Sequence, residues 1–203
     1  MLTLATAAPA APPAPGFDDG VSRAQQTFRV ALQAMAQPGI IQEIHAQCGV
    51  PAGLSPGMTA MLLTLADADA PVWLPAGVSE DVRRYLRFHC GCPLVEDPAR
   101  ARFAAVPGGL AAPALQRLHA GDAAYPDTSA TLLIEVEAFG RGPRVTLSGP
   151  GIATRRELSI AGLPEGFWAQ WRANHQLFPL GVDVFLVQGN RLCGLPRTAQ
   201  AET

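Results

Sequence analysis

Lysine is absent from this sequence, and its 15 basic residues other than histidine are all arginine. The absence excludes chemistry that needs a lysine amine, such as a Schiff base with pyridoxal phosphate or with a carbonyl substrate. It also excludes a P-loop of the GxxxxGK[ST] type, whose lysine contacts nucleotide phosphates. Any phosphate-binding site in this chain must therefore use arginine side chains and backbone amides.

Long apolar runs and a secretion signal are also lacking. No stretch of about 18 or more apolar residues occurs, so we expect no transmembrane helix. The opening residues, MLTLATAAPAAPPAP, contain no basic side chain and are interrupted by proline, which does not fit a signal peptide. Four cysteines in 203 residues do not make a disulfide-rich scaffold. These features predict a cytoplasmic protein with reduced cysteines and no association with a membrane.

Charge is scarce, and this too excludes classes of protein. Charged residues make up 16% of the chain and the formal net charge is -2, which does not suit a nucleic-acid-binding protein. The hydrophobic fraction of 48% is too high for a disordered chain. The length fits one domain with a real core. We predict an Ala/Pro-rich disordered tail at residues 1–15 and a single α/β domain at residues 16–203.

Helix starts are marked by capping residues. Three N-caps are predicted: Asp18 or Asp19 for the first helix, Ser55, which precedes a proline, for the second, and Ser79 for the third. After the first cap an apolar stripe recurs at helical spacing, the pattern of a helix packed on a core; its members are Val21, Ala24, Phe28, Leu32 and Met35.

Strand signals alternate with these helices. The segment 131–136 predicts a strand, and segment 144–147 predicts its hairpin partner through the turn 140–143. The alternation predicts an α/β fold with a mixed sheet covered by helices on both faces, that is, a three-layer α/β/α sandwich.

Two clusters in the sequence suggest chemistry but also have a structural interpretation. His89-Cys90-Gly91-Cys92 contains a CxC pair, yet a metal site needs more ligands, so we predict buried cysteines and no metal. Ser148-Gly149-Pro150-Gly151 follows a strand, where exposed amides bind anions. The same four residues also fit a tight turn. HExxH and GxSxG motifs do not occur.

Two acids lie near predicted strand starts. Asp183 begins an apolar strand and needs a partner, which we expect to be an arginine such as Arg197 or Arg172, or else a ligand. Asp127 lies in a polar loop that is either a binding rim of hydroxyls and carboxylates or a set of turns that starts a strand.

Six segments together resemble the PhnH family, which is the H component of the bacterial carbon–phosphorus lyase system, in the family's order and across residues 16–198. They are Gly16-Phe17-Asp18 with Gln25-Gln26-Thr27-Phe28-Arg29, Met35-Ala36-Gln37-Pro38-Gly39, Tyr125-Pro126-Asp127 with Ala130-Thr131, Ser148-Gly149-Pro150-Gly151-Ile152, Asn174 with Phe178-Pro179-Leu180-Gly181-Val182-Asp183, and Leu195-Pro196-Arg197-Thr198.

The resemblance implies a fold like that of pyridoxal-phosphate transferases with the cofactor site lost, and no cofactor. It implies a non-autonomous subunit that supports coupling of alkylphosphonate to the ribose C1 of ATP, with displacement of adenine. The implied partners are the G, I and J subunits, with L transiently, and a second copy in a homodimer. Two alternatives stay open: a free-standing transferase or hydrolase acting on an anionic metabolite, and a scaffold without ligand.

Candidate ligand contacts follow from these patterns. The amides of Ser148, Gly149 and Gly151 are predicted to meet a phosphate of ATP or a phosphonate, and Arg197 to neutralise it. Asp127 and Asp183 are predicted either to orient sugar hydroxyls or to brace loops. No catalytic residue is assigned from the sequence.

Overall fold

The computed structural model describes residues 12–202. In this range the α-helices are α1 (Gly20–Ala36), α2 (Pro56–Leu65), α3 (Glu80–His89) and α4 (Phe167–His175). The strands are β1 (Ile41–Glu43), β2 (Val72–Trp73), β3 (Leu94–Val95), β4 (Phe103–Val106), β5 (Thr131–Glu135), β6 (Ala138–Ser148), β7 (Arg156–Ala161), β8 (Asp183–Gln188), β9 (Arg191–Leu195) and β10 (Gln200–Glu202).

Local capping starts the first three helices, as the sequence predicts. The side chain of Asp19 accepts the N–H of Ser22 at 3.2 Å and so begins α1. Ser55 caps α2 and Ser79 caps α3 in the same way. The side chain of each serine accepts the backbone N–H of the residue three positions later, which is Met58 or Val82. Each bond satisfies an amide that has no partner within its own helix.

The strands form two sheets. The larger sheet has the order β1-β9-β8-β5-β4-β2-β3. Its neighbours from β8 through β3 run parallel, whereas β9 is antiparallel to both β8 and β1. The smaller sheet is antiparallel with the order β10-β6-β7. The prediction of an α/β fold with a mixed sheet is confirmed.

The predicted hairpin between β5 and the segment 144–147 is wrong. β5 lies between β4 and β8 in the larger sheet, with Leu133 opposite both Ala105 and Phe185. The segment 144–147 belongs to β6, which pairs with β7 and β10. Residues 140–143 are not a turn, because β6 runs through them and its register with β7 shifts between Phe139 and Arg144.

The core lies on both faces of the larger sheet. Along β8 alternate side chains enter different clusters, Val184 and Leu186 one and Phe185 and Val187 the other, as expected for the period-two geometry of a strand. One cluster is completed by buried residues of α1, α2 and α3. The other is completed by α4 and by the smaller sheet.

Helix α1 does not bury the stripe that its sequence suggests. Its buried residues are Thr27, Ala31 and Ala34, and Met35 packs partly buried against the core. Three other apolar side chains of the stripe are exposed; these are Val21, Phe28 and Leu32. A prediction that these three face the core is therefore wrong. Small side chains pack against the protein instead.

The described chain makes contacts just before the predicted start of the domain at residue 16. The carbonyl oxygen of Pro15 accepts the N–H of Gly49 at 2.9 Å, and that of Ala14 lies 2.8 Å from Nε2 of His89. The rest of the predicted tail, residues 1–11, lies outside the described residues. Within residues 12–202, no helix combines the length and the apolar character needed to cross a bilayer.

Candidate functional site

Asp183 and Arg197 form the centre of the site. Asp183 is the first residue of β8, and Arg197 follows the end of β9 by two residues. Nη2 of Arg197 donates to Oδ2 of Asp183 at 2.6 Å, and Nε donates to Oδ1 at 3.2 Å. The backbone N–H of Arg197 also donates to Oδ1, at 2.7 Å. The predicted pairing of Asp183 with an arginine is confirmed, and the fork geometry makes the pair charge-assisted and bidentate.

The remaining donors of Arg197 join this pair to two other segments. Nη1 donates to the carbonyl oxygens of Pro126 at 2.9 Å and of Pro179 at 3.5 Å. Nη2 donates to the hydroxyl oxygen of Ser129 at 2.6 Å. A guanidinium has five N–H donors, and each of the five meets an acceptor of this protein. We call this arrangement of Arg197, Asp183, Pro126, Ser129 and Pro179 the arginine brace.

Helix α4 is fastened beside the brace by a buried amide. Nδ2 of Asn174 donates to the carbonyl oxygen of Val182 at 2.9 Å, and Oδ1 accepts the N–H of Val182 at 2.8 Å. Nδ1 of His175 lies 2.9 Å from the carbonyl oxygen of Arg197. The last turn of α4 therefore fixes the backbone on both sides of the ion pair.

Three segments that carry the family resemblance meet here, although they are distant in sequence: 125–127, 178–183 and 195–198. Together they line a shallow cleft of about 240 Å³. Asp127, Arg197 and Phe178 all border it. The aromatic ring of Phe178 is exposed, as is that of Tyr125, which precedes the lining residue Pro126 in the chain. Polar atoms of the brace are thus satisfied internally, while aromatic surface faces outward.

The glycine-rich turn lies next to the brace through Thr198. Gly149 has a φ of 124°, and a Cβ at this position would lie 2.9 Å from the carbonyl oxygen of Thr198. Ser148 pairs with Gln200 at the end of the smaller sheet. Gly151, with a φ of 80°, lies against the carbonyl oxygen of Ala36 instead. The structure therefore groups five of the six predicted residues around one region, with Gly151 toward the end of α1.

The cysteine pair lies apart from this region, after α3. Cys92 is buried, and its thiol contacts the carbonyl oxygen of Leu86. The thiol of Cys90 contacts the carbonyl oxygen of Leu62. A hydrogen bond between the two thiols raises the pKa of Cys90 and lowers that of Cys92. No group of three or more potential metal ligands occurs within residues 12–202.

A second cleft, of about 410 Å³, was not anticipated from the sequence. It lies at the carboxyl ends of β4 and β5, where parallel sheets commonly bind ligands. Glu135 lines it, and its carboxylate accepts the N–H of Ser55 at 2.8 Å and of Gly108 at 3.0 Å. Glu137 also lines it, and the lining contains no arginine. Such a lining disfavours phosphate. A signal for this cleft is present in the sequence: the acid Glu135 lies at the end of a strand, and the segment Pro107-Gly108-Gly109 follows the end of the neighbouring strand.

Comparisons with known proteins agree on one family. The model of the family described as bacterial phosphonate metabolism protein (PhnH) matches residues 15–202. A relative from Rhizobium meliloti (strain 1021), the alpha-D-ribose 1-methylphosphonate 5-triphosphate synthase subunit PhnH, is 37% identical over 187 residues, or 92% of this chain and 94% of the relative. The putative C-P lyase subunit protein HtxG of Stutzerimonas stutzeri is 33% identical over 181 residues, or 87% and 84% of the two chains.

Proposed function

This chain belongs to the PhnH family, and we propose that it is a non-autonomous subunit of a carbon–phosphorus lyase complex. In this role it supports synthesis of a ribose 1-alkylphosphonate 5-triphosphate. A phosphonate oxygen bonds to C1 of the ribose of ATP, and the bond between C1 and adenine breaks. The observation that carries the proposal is the 37% identity to a named synthase subunit across 94% of that subunit's length.

The brace supports a role as part of an assembly. Three of the segments that carry the family resemblance meet at one place, yet the polar atoms of Arg197, Asp183 and Asn174 are hydrogen-bonded to this chain's own backbone and side chains. Such residues hold a surface in a fixed shape, which is what a subunit offers to its partners. In the proposal the partners are the G, I and J subunits, with L transiently, and the chain forms a homodimer in the cytoplasm.

The proposal extends to the fold. Both faces of the larger sheet are covered, one by α1–α3 and one by α4 with the smaller sheet. We take this as a three-layer α/β/α sandwich of the pyridoxal-phosphate transferase type without its cofactor. The absence of lysine removes the residue on which that cofactor would form its Schiff base.

In this proposal the ligand contacts residues near the brace that are not themselves part of it. Arg197 and Asp183 brace loops, whereas Asp127 is exposed at the cleft and Ser148, Gly149 and Gly151 form the adjacent turn. ATP or methylphosphonate should raise the unfolding temperature of the protein, since binding to the native state stabilises it. Asp127→Asn should reduce that rise, and Asp122→Asn, another exposed acid, should not.

Deletion of the gene tests the function directly. The deletion strain should fail to grow with methylphosphonate as sole phosphorus source and should grow normally on inorganic phosphate. A plasmid copy should restore growth. Normal growth of the deletion strain on methylphosphonate would refute the proposal.

Purified proteins separate a subunit from a free-standing enzyme. This chain alone should release no adenine from ATP and methylphosphonate, whereas adding it to the G, I and L subunits should give adenine release. Sustained release by this chain alone would show an autonomous transferase instead. An unchanged rate on adding this chain to the other subunits would point to a scaffold outside the reaction.

A further inference from the structure

The exposed face of α1 carries a row of four residues, three of them apolar, which we call the α1 stripe: Val21, Gln25, Phe28 and Leu32. Val21 is 73% exposed, Phe28 46% and Leu32 54%. These are three of the eight large apolar side chains that are exposed in the described part of the chain. A single helix thus holds a concentrated apolar surface, and contiguous apolar patches mark interaction sites.

This exposure follows from how α1 is anchored. Ala34 lies so close to β9 that a Cβ on Gly194 would be 2.5 Å from the carbonyl oxygen of Ala34. The helix contacts the sheet through small side chains, with Ala31 and Ala34 both buried. Close approach on this side leaves no room there for Phe28 or Leu32. The large side chains face outward because the small ones are needed inside.

The spacing of the stripe indicates the shape of its partner. Positions 21, 25, 28 and 32 follow a four–three–four pattern, which is the seam along which two helices pack nearly parallel or antiparallel. The seam is about 16 Å long at 1.5 Å per residue. An α-helix of about three turns with matching spacing would cover it.

The charge of α1 distinguishes between possible partners. Its sequence contains two arginines and no acid. Arg23 pairs with Asp18 at 3.0 Å, whereas Arg29 is exposed next to Phe28. A second copy of α1 packed on the stripe would bring arginines together without any carboxylate from either helix. A helix with acids beside its seam is the complementary partner.

We propose that the α1 stripe binds an amphipathic helix of another subunit, apolar along one seam and flanked by carboxylates. The proposal rests on the proposed function, in which this chain is part of a multi-subunit complex. It assigns homodimerisation to a different surface. The partner's acids meet Arg29, and its apolar seam covers Val21, Phe28 and Leu32.

Co-expression with the G, I and J subunits, followed by affinity purification through a tag on this chain, tests the proposal. Phe28→Arg and Leu32→Arg should each reduce recovery of the other subunits by about tenfold or more, because a charge would enter an apolar seam. Gln33→Arg adds the same charge to the polar side of the same helix and should leave recovery unchanged. Arg29→Glu should weaken recovery more at low than at high salt.

Each outcome has a defined meaning. All three arginine variants should keep the wild-type circular dichroism spectrum and unfolding midpoint, because their positions are exposed. Equal recovery of the partners by Phe28→Arg, Leu32→Arg and wild type would overturn the docking proposal while leaving the subunit function standing. Failure of wild type to recover any partner would overturn the subunit function and the docking proposal with it. Conversion of an isolated wild-type dimer to a monomer by Phe28→Arg would show that a second copy occupies the stripe, and would also overturn it.

Discussion

The carboxylate of Asp183 and the guanidinium of Arg197 are joined by two side-chain hydrogen bonds, with Oδ2 to Nη2 at 2.6 Å and Oδ1 to Nε at 3.2 Å. Their side chains are only 23% and 14% exposed. Because the pair is shielded, loss of one partner leaves a charge with little water to solvate it. The contribution of the brace to the free energy of unfolding can therefore be measured by removing one partner.

Arg197→Ala should lower the free energy of unfolding by about 3 kcal/mol, because Asp183 would keep a shielded and unpaired charge. Arg197→Lys should recover only part of the loss, since an ammonium cannot form the fork. Urea denaturation measures both. As a control, Arg144→Ala removes an ion pair with Glu157 in which both side chains are well exposed and should cost less than about 1 kcal/mol. Equal effects of the two alanine variants would contradict the structural role of the brace.

Asn174→Leu should destabilise the protein by about 3 kcal/mol. The change leaves the N–H and carbonyl of Val182 without their partners in a buried position, and each lost bond carries a desolvation cost. Thermal unfolding measures the effect. Gln176→Leu places the same side chain on the exposed surface just after α4 and should change stability by no more than about 0.5 kcal/mol.

Gly194→Ala should destabilise the protein by about 2 kcal/mol, because its methyl group would press on the backbone of α1 at Ala34. Gly20→Ala is the matched control. A Cβ at Gly20 has no neighbour within 4 Å, so stability should be unchanged or slightly raised. A tolerated Gly194→Ala would mean that α1 can move away from β9, and would weaken the explanation for its exposed stripe.

Because Cys193 is buried, the free energy of unfolding should fall at alkaline pH. Burial raises the pKa of this thiol to about 12 from its ordinary value of 9.0. Between these two values the folded protein keeps the proton while the unfolded chain loses it, so stability falls as pH rises, by about 1.4 kcal/mol per pH unit from this group. The contribution is fully present below pH 9.0.

Urea denaturation at pH 8 and at about pH 10.5 tests this sign. Cys193→Ala should lose less stability between the two pH values than wild type does. Ile41→Val changes the cross-strand neighbour of Cys193 without touching a titrating group, and should keep the wild-type pH dependence. The same loss in Cys193→Ala and wild type would show that another group causes the decline.

Parts of the site could be predicted from the sequence because the reasoning needed only one residue and its immediate surroundings. An acid at the start of an apolar strand requires a partner, and Asp183 has one in Arg197. Pro126 and Ser129 could not be predicted as further acceptors, since they lie 71 and 68 residues from Arg197 in the chain. The carboxylate of Glu135 at the second cleft was missed for the same reason: its partner Ser55 is 80 residues away.

The sequence by itself determined where the first three helices begin, the exclusion of lysine chemistry and the α/β class. A capping bond joins residues only three apart, so Asp19, Ser55 and Ser79 act without the rest of the fold. Only the tertiary structure decided that β5 joins β4 and β8, and that α1 turns its large apolar residues outward. Those outcomes depend on contacts between distant segments, such as Gly194 against Ala34, where the absence of one Cβ selects the face that packs.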